Sequence, residues 1–138
     1  MAKDSSWDVQ SGVFTALCAN QNLTSLLADG VNSICDHVAQ GSAFPYIVLG
    51  ESDNAELAGN ALEHNISINI YSKSAGMNEV KQIMSAIYET LHNKDFTIPN
   101  NRLVLCLIQN SSARVAGDGK TRLGLQSFKI ITEQSDEV

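Results

Sequence analysis

Apolar and polar side chains alternate through the segment Leu62–Lys73. A period of two places one set of side chains on one face of a β-strand and the other set on the opposite face. The pattern therefore predicts a strand with one buried face. The buried set comprises Leu62, His64, Ile66, Ile68 and Ile70, and the polar set comprises Glu63, Asn65, Ser67, Asn69 and Lys73.

The period changes after the break Ser72–Gly76, and the segment that follows predicts a helix. Its apolar residues recur three or four positions apart, the spacing of a single stripe on a helix. Ser74 is placed to cap the first turn of this helix. Glu79 lies near the positive end of the helix dipole. His92 and Lys94 lie near the negative end of the helix dipole. The stripe comprises Val80, Ile83, Met84, Ile87, Tyr88 and Leu91.

The N-terminal segment also predicts helix. Its apolar residues run from Trp7 to about Ala28 and are interrupted by the polar triplet Asn20–Asn22. This pattern predicts two helical pieces joined by a bend. Asn22 is placed to cap the second piece, which we expect to end at Gly30.

Two further strands are predicted before Leu62. The short, mixed segment Val31–Val38 predicts an edge strand, and Tyr46–Glu51 predicts an extended strand with apolar residues on both faces. The segment Ser52–Asn60 has only Leu57 as a large apolar residue. We expect it to be an exposed, mobile loop between two strands.

The C-terminal third predicts a long hairpin. The continuous apolar run Leu103–Ile108 predicts an interior strand covered on both faces. The triplet Gly117-Asp118-Gly119 predicts a tight turn, and Thr121–Thr132 predicts the returning strand. Because the alternation of this strand slips between its apolar residues, we expect a bulge near Gln126-Ser127.

The elements follow one another in the order α-β-β-β-α-β-β. We predict an α+β fold, with a mostly antiparallel sheet of about four to five strands and two main helices packed on one face. A chain of 138 residues fits one domain that buries its own core, spanning residues 1–138. Residues 1–6 and 133–138 are expected to be loose.

Composition restricts the partners and the compartment. The net charge of −6 argues against direct binding to nucleic acid, because such binding needs a patch of Lys and Arg against the phosphates. Cys18, Cys35 and Cys106 have no CxxC spacing and lie in apolar surroundings, so we interpret them as reduced and structural. The sequence shows no signal peptide and no apolar run that could span a membrane. We therefore expect assembly in a cytoplasm.

Residues with catalytic or metal-binding chemistry do not combine into a known motif. His37, His64 and His92 are far apart, and His64 continues the apolar face of its strand, which favours a hydrogen-bonded, half-buried histidine. The pairs Asp53 with Glu56 and Asp4 with Asp8 could hold a divalent cation but are more typical of solvated surface. We predict no catalytic residue, no cofactor and no metal site.

Positive charge gathers on the last hairpin, at Arg114, Lys120 and Arg122, in an otherwise acidic chain. Two readings stay open. The charges serve solubility and cross-strand pairing, or they contact the acidic surface of another protein, such as a neighbouring copy.

The order of these features resembles a known family. The strand Phe44-Pro45-Tyr46-Ile47-Val48-Leu49-Gly50-Glu51 is followed by a polar loop and by His64-Asn65-Ile66-Ser67-Ile68-Asn69-Ile70-Tyr71-Ser72. Gly76 then opens a helix that ends near Leu91, and the hairpin Asp118-Gly119-Lys120-Thr121-Arg122-Leu123-Gly124 precedes Phe128. The chain is thus similar, from its N-terminal helix to Ile131, to the tail-completion or tail-terminator proteins of long-tailed bacteriophages and gene transfer agents.

This resemblance implies a structural virion protein and not an enzyme. Such proteins form a hexameric ring at the head-proximal end of the tail tube, stop tube polymerisation and offer a surface for head-tail joining. The implied partners are other copies of the chain, the tail tube protein and the head-tail connector protein, with no membrane partner. A mobile loop that orders only on assembly would also restrain early polymerisation. The candidate assembly residues are Asp53, Asn54, Glu56, Leu57, Arg114, Asp118, Lys120 and Arg122.

Two alternatives come from other functional classes. The chain could be a small regulatory or ligand-binding α+β domain, although the sequence shows no convergent polar pocket. An acid-pair hydrolase using Asp53 and Glu56 is the weaker alternative, since nothing in the sequence sets the distance between these carboxylates or raises a pKa.

Overall fold

The computed structural model describes residues 6–37, 43–57 and 59–134. These residues form an α+β fold, and the predicted fold class and element order are confirmed. The helices are α1 (Ser6–Ala19), α2 (Gln21–Thr24), a short 3-10 helix (Gly30–Ser33) and α3 (Asn78–Leu91), and the strands are β1 (Ile34–Cys35), β2 (Tyr46–Glu56), β3 (Ala61–Ser72), β4 (Asn101–Val115) and β5 (Arg122–Gln134).

The strands form one sheet in the order β1-β2-β3-β5-β4. β1 pairs with β2 in parallel, and the remaining pairs are antiparallel. α1 contacts β1, β2 and β3, whereas α3 contacts β3, β4 and β5, and the two helices contact each other. Both main helices therefore cover one face of the sheet, which we call the helix face. We call the opposite face the open face.

The alternation predicted for β3 is confirmed. Every second residue from Leu62 to Ser72 is buried, and the residues between them are half-buried. His64 lies on the helix face with 2% of its surface exposed, and its Nε2 lies 3.3 Å from Oγ1 of Thr132 on β5. A hydrogen bond to a neighbouring strand thus satisfies the ring in the core.

The helix predicted after the break is also confirmed, but its start differs. α3 begins at Asn78, and its N-cap residue Met77 makes no side-chain capping bond. Ser74 therefore does not cap the helix. Instead, the buried Ser72 donates from Oγ to Oε1 of Glu79 at 2.6 Å, which ties the end of β3 to the first turn of α3.

The N-terminal helix bends where predicted, but a different residue caps the second piece. Asn20 has an extended backbone, and its Oδ1 accepts a hydrogen bond from the amide of Asn22 at 3.0 Å. Asn22 itself is already helical. α2 ends at Thr24, earlier than expected, and Gly30 with φ of 58° begins the 3-10 helix.

The predicted edge strand exists only as β1, whose residues Ile34 and Cys35 pair with Ile47 and Val48. The preceding residues belong to the 3-10 helix, and Val38 lies outside the described residues.

The prediction of an interior strand at Leu103–Ile108 is wrong. Among the described strands, β4 pairs with β5 alone and forms an edge of the sheet. Only Cys106 is fully buried in this run, and 43% of Val104 is exposed. Local hydrophobicity could not reveal the error, because the position of a strand within a sheet depends on its long-range partners.

The expected bulge lies on the opposite strand. β5 keeps a regular register with β3 throughout, whereas the β4 register shifts between Leu103 and Leu105 and between Ile108 and Asn110. The prediction placed the bulge on β5 because a polar residue, Gln126, interrupts its apolar face. Gln126 is nevertheless buried on that face, where its Nε2 donates to the carbonyl of Met84 at 3.0 Å.

The chain ends are more regular than expected where they are described. α1 begins at Ser6, and β5 extends through Glu133 and Gln134. The rest of the two segments expected to be loose, residues 1–5 and 135–138, lies outside the described residues.

Candidate functional site

The first group of candidate residues lies at the far end of the β2–β3 hairpin. The prediction of a loop at Ser52–Asn60 is wrong for its first half, because β2 continues to Glu56 and pairs with β3. The described residues of the segment, 52–57 and 59–60, are exposed, as expected. Its Asp and Asn residues disfavour strands locally, but the hydrogen-bonded ladder to β3 overrides this preference.

A register shift in β2 between Leu49 and Ser52 allows this extension. A Cβ atom at Gly50 would lie 2.6 Å from Nδ2 of Asn69 and 3.3 Å from the carbonyl oxygen of Ser67, so a side chain here would displace the Asn69 side chain. The segment expected to order only on assembly is therefore already a strand in the single chain as far as Glu56. A disordered loop at this position consequently cannot be what restrains early polymerisation.

Side-chain bonds hold this end of β2 in place. Nδ2 of Asn65 donates to Oδ1 of Asp53 at 3.0 Å, and Nδ2 of Asn54 donates to Oγ of Ser6 on α1 at 2.7 Å. The turn beyond β2 exposes 40% of Leu57. The four candidates Asp53, Asn54, Glu56 and Leu57 thus lie together on one hairpin end, which we call the acidic end.

The second group lies on the β4–β5 turn, where the predicted tight hairpin is confirmed. The carboxylate of Asp118 accepts hydrogen bonds from the amide of Thr121 at 2.8 Å, the amide of Lys120 at 2.9 Å and Oγ1 of Thr121 at 2.7 Å. These bonds, led by those from the Thr121 and Lys120 amides, lower the pKa of Asp118 to about 2. Gly119 closes the turn with φ of 72°.

Four cations surround this turn. Arg114 and Lys120 are exposed, whereas Arg122 is half-buried and donates from Nη1 to the carbonyl of Lys120 at 2.8 Å. Lys73, which sequence reasoning did not include, follows the end of β3 beside Arg122 and holds its Nζ 4.6 Å from the ring centroid of Phe44. We call this group of four cations the basic end. No local sequence pattern identifies Lys73 as a member, because the pairing of Ser72 with Arg122 is what brings Lys73 close to the turn.

The eight candidates therefore form two surfaces and not one. Pairing of β2 with β3 puts the acidic end beside Leu62, and pairing of β3 with β5 puts the basic end beside Ser72. Asp53 pairs with Asn65 and Glu56 pairs with Leu62, and a strand advances about 3.3 Å per residue, so roughly 23–33 Å of β3 separates these carboxylates from the level of Ser72.

Apolar side chains on the open face and on β4 are features that sequence reasoning missed. Val104, Val115 and Leu125 each expose between 38% and 43% of their surface. A shallow groove of about 580 Å³ on this side is lined by polar residues of β2, β3, β4 and β5, among them Asp53, Ser67 and Asn110. Its lining is mostly uncharged, and its one carboxylate is already bonded to Asn65.

The acid pair considered for hydrolysis is not arranged for joint chemistry. Asp53 and Glu56 are three residues apart on a strand, so their side chains point to opposite faces of the sheet. Within residues 6–37, 43–57 and 59–134, no group of three His, Cys, Asp or Glu side chains could hold a metal ion. Over the same ranges no helix is long and apolar enough to cross a membrane.

The cysteines and His92 have structural surroundings. Cys106 is buried, and burial raises the pKa of its thiol to about 12, which keeps it protonated at neutral pH. Burial also raises the pKa of Cys18 and Cys35, both of which are free thiols. Nδ1 of His92 accepts a hydrogen bond from the amide of Ile108 at 3.1 Å, which joins the end of α3 to β4.

Comparison with known proteins decides the family. The family model described as "Tail completion protein gp17" matches residues 11–133, which is most of the chain. The chain belongs to the tail completion protein family. It is therefore a structural protein of a virion tail, and the predicted family and virion location are confirmed.

A solved structure shares the fold of this tail completion protein. A chain in the structure titled "Virion of native gene transfer agent (GTA) particle" superposes with a TM-score of 0.83 at 23% identity. The match covers 96% of this chain and 99% of the other. The search of curated proteins found no match.

Proposed function

We propose that this tail completion protein closes the head-proximal end of a finished tail tube as a hexameric ring. The ring stops further addition of tube subunits and offers its outer surface to the head-tail connector. The family match over residues 11–133 carries this proposal. The similarity of almost the whole chain to a component of a gene transfer agent virion supports it.

The distribution of residues suits a ring subunit. A closed ring requires each copy to contact its neighbours through two different surfaces. The acidic end and the basic end are two such surfaces on opposite ends of the sheet. The core is formed within one chain, which lets the subunit fold before it assembles.

Electron microscopy of particles made with the gene disrupted tests the function. We expect overlong tubes if termination fails, or tails of normal length without heads if joining fails. Expression of the intact chain from a plasmid should restore normal particles. Normal, joined particles without the gene would contradict the proposal and favour the ligand-binding alternative, which a saturable shift in melting temperature with a small molecule would support.

A further inference from the structure

Charge is strongly segregated between the two ends of the sheet. The basic end holds Lys73, Arg114, Lys120 and Arg122, which are four of the nine Lys and Arg residues of the chain. Its one carboxylate in the turn, Asp118, already accepts three hydrogen bonds there. This end is thus positive on a chain whose net charge is −6.

The opposite end is negative. Asp53 and Glu56 are exposed there, and Glu63 lies beside Ala55 on the paired strand. Arg102 on β4 and Lys129 on β5, opposite Asn65, are the nearby cations, and Arg102 already pairs with Glu133. Asp53 accepts a hydrogen bond from the neutral amide of Asn65. The exposed carboxylates of this end therefore have capacity for further positive partners.

The two charged ends cannot neutralise each other within one chain. They lie roughly 23–33 Å apart along β3, about three to four times the Debye length of about 8 Å at physiological salt. In the described part of the chain, Arg102–Glu133 is the only ion pair, so none of the four cations has a carboxylate at pairing distance there. A second copy of the chain carries the complementary charge for both ends.

We infer that neighbouring copies dock head to tail, with the basic end of one copy against the acidic end of the next. This inference rests on the proposed ring and names the contact that forms it. Such a heterologous contact uses different surfaces on each copy and closes into a ring when the rotation between copies permits. Opposite potentials across the contact also steer the approach of copies and reject a like-charged orientation.

The bonding of the turn supports a role in docking. Asp118 fixes the backbone at Lys120 and Thr121, and Arg122 is tied to the carbonyl of Lys120. Nε of Arg122 is buried and has no hydrogen-bond partner within the described residues. A turn held in this way loses little conformational entropy when it binds, which favours a defined contact.

Reversal of charge at one end at a time tests the inference. The first variant, Asp53→Lys with Glu56→Lys, makes both ends positive. The second, Arg114→Glu with Lys120→Glu, makes both ends negative. Each variant replaces the gene in the element that encodes the chain, and the fraction of joined particles with normal tail length is counted by electron microscopy. A matched control, Lys81→Glu with Lys94→Glu, makes the same change of charge as the second variant on exposed residues in and beside α3.

We expect each variant alone to lower the yield of normal particles by at least about tenfold, because like charges at a contact cost more than about 1.4 kcal/mol. Co-expression of the two variants should restore most of the yield, since copies that alternate around a six-membered ring again place opposite charges at every contact. The control should assemble normally. Thermal melting of each purified variant verifies that it is folded.

Different outcomes separate the inference from the function. If disruption of the gene abolishes normal particles but each folded variant restores them alone, the docking inference is overturned and the ring function stands. If the two folded variants fail both singly and together, the charged ends act on the tube or the connector, which also overturns the inference. If disruption has no effect, the proposed function fails first.

Discussion

At the scale of single residues, close approach of backbone segments determines where this fold tolerates a side chain. Gly12 lies on the buried side of α1, against the segment that leads into β4. A Cβ atom there would lie 2.8 Å from the carbonyl oxygen of Thr97 and 2.9 Å from Cγ1 of Ile98. The absence of a side chain at Gly12 is thus what lets α1 pack at this distance.

Substitution Gly12→Ala is expected to destabilise the protein. Alanine gains about 1 kcal/mol of helix propensity over glycine, but the contact with the Thr97 backbone forces a shift that costs about 1–3 kcal/mol. Because a backbone atom cannot rotate away, we expect a net loss of stability in urea unfolding. Ser11→Ala, one position earlier, should change stability by less than about 0.5 kcal/mol. A Gly12→Ala variant more stable than the parent would contradict this packing.

At the scale of elements, the two faces of β5 have different surroundings. Gly124, Gln126, Phe128, Ile130 and Thr132 are buried on the helix face. The alternate residues lie on the open face, where 38% of Leu125 is exposed. The helices therefore draw their packing energy from one face and leave the other face uncovered within the described residues.

Paired substitutions on β5 measure this difference. Phe128 is fully buried, so Phe128→Ala should cost about 3–5 kcal/mol through lost contacts and the cavity left behind. Leu125→Ala, three positions earlier and on the open face, should cost less than about 1 kcal/mol. Chemical denaturation of both variants gives the comparison. Equal losses would indicate that the open face is covered within the single chain.

The β4–β5 turn gives a prediction for pH. The hydrogen bonds from the Thr121 and Lys120 amides require the charged form of Asp118, and they lower its pKa from 3.8 to about 2. Since the folded pKa is depressed, the stabilising effect on the turn is complete above about pH 3.8 and is lost as the pH falls through about 2. NMR titration should show the amides of Lys120 and Thr121 shifting with a midpoint near pH 2. Asp118→Asn should remove that transition, whereas a midpoint near pH 4 would disprove the bonding described.

At the scale of the whole molecule, the chain combines a net negative charge with a positive end. Association through the charged ends should weaken with salt, because raising monovalent salt from about 0.05 M to about 0.5 M shortens the range of electrostatic attraction. Sedimentation velocity, at a protein concentration where copies associate, measures the effect. Association that is unchanged or strengthened by salt would instead indicate contacts through apolar residues such as Val104 and Leu125.

The order of features that suggested a tail completion protein could be read from the sequence, and so could the residues of both charged ends except Lys73. The distance between the acidic end and the basic end could not be predicted from the sequence. Asp53 and Arg114 belong to the same set of candidate assembly residues, yet strand pairing places them at opposite ends of the sheet. The position of Lys73 depended on the same pairing.

Local periodicity and turn chemistry by themselves determined β3, α3, the β4–β5 turn and the α+β class, because each depends on side chains close together along the chain. Tertiary structure alone decided that β4 lies at an edge, that β2 extends to Glu56 and that Gln126 belongs to the core. Periodicity reports which face of a strand is apolar, but the neighbour of each strand is selected by contacts between residues far apart in sequence.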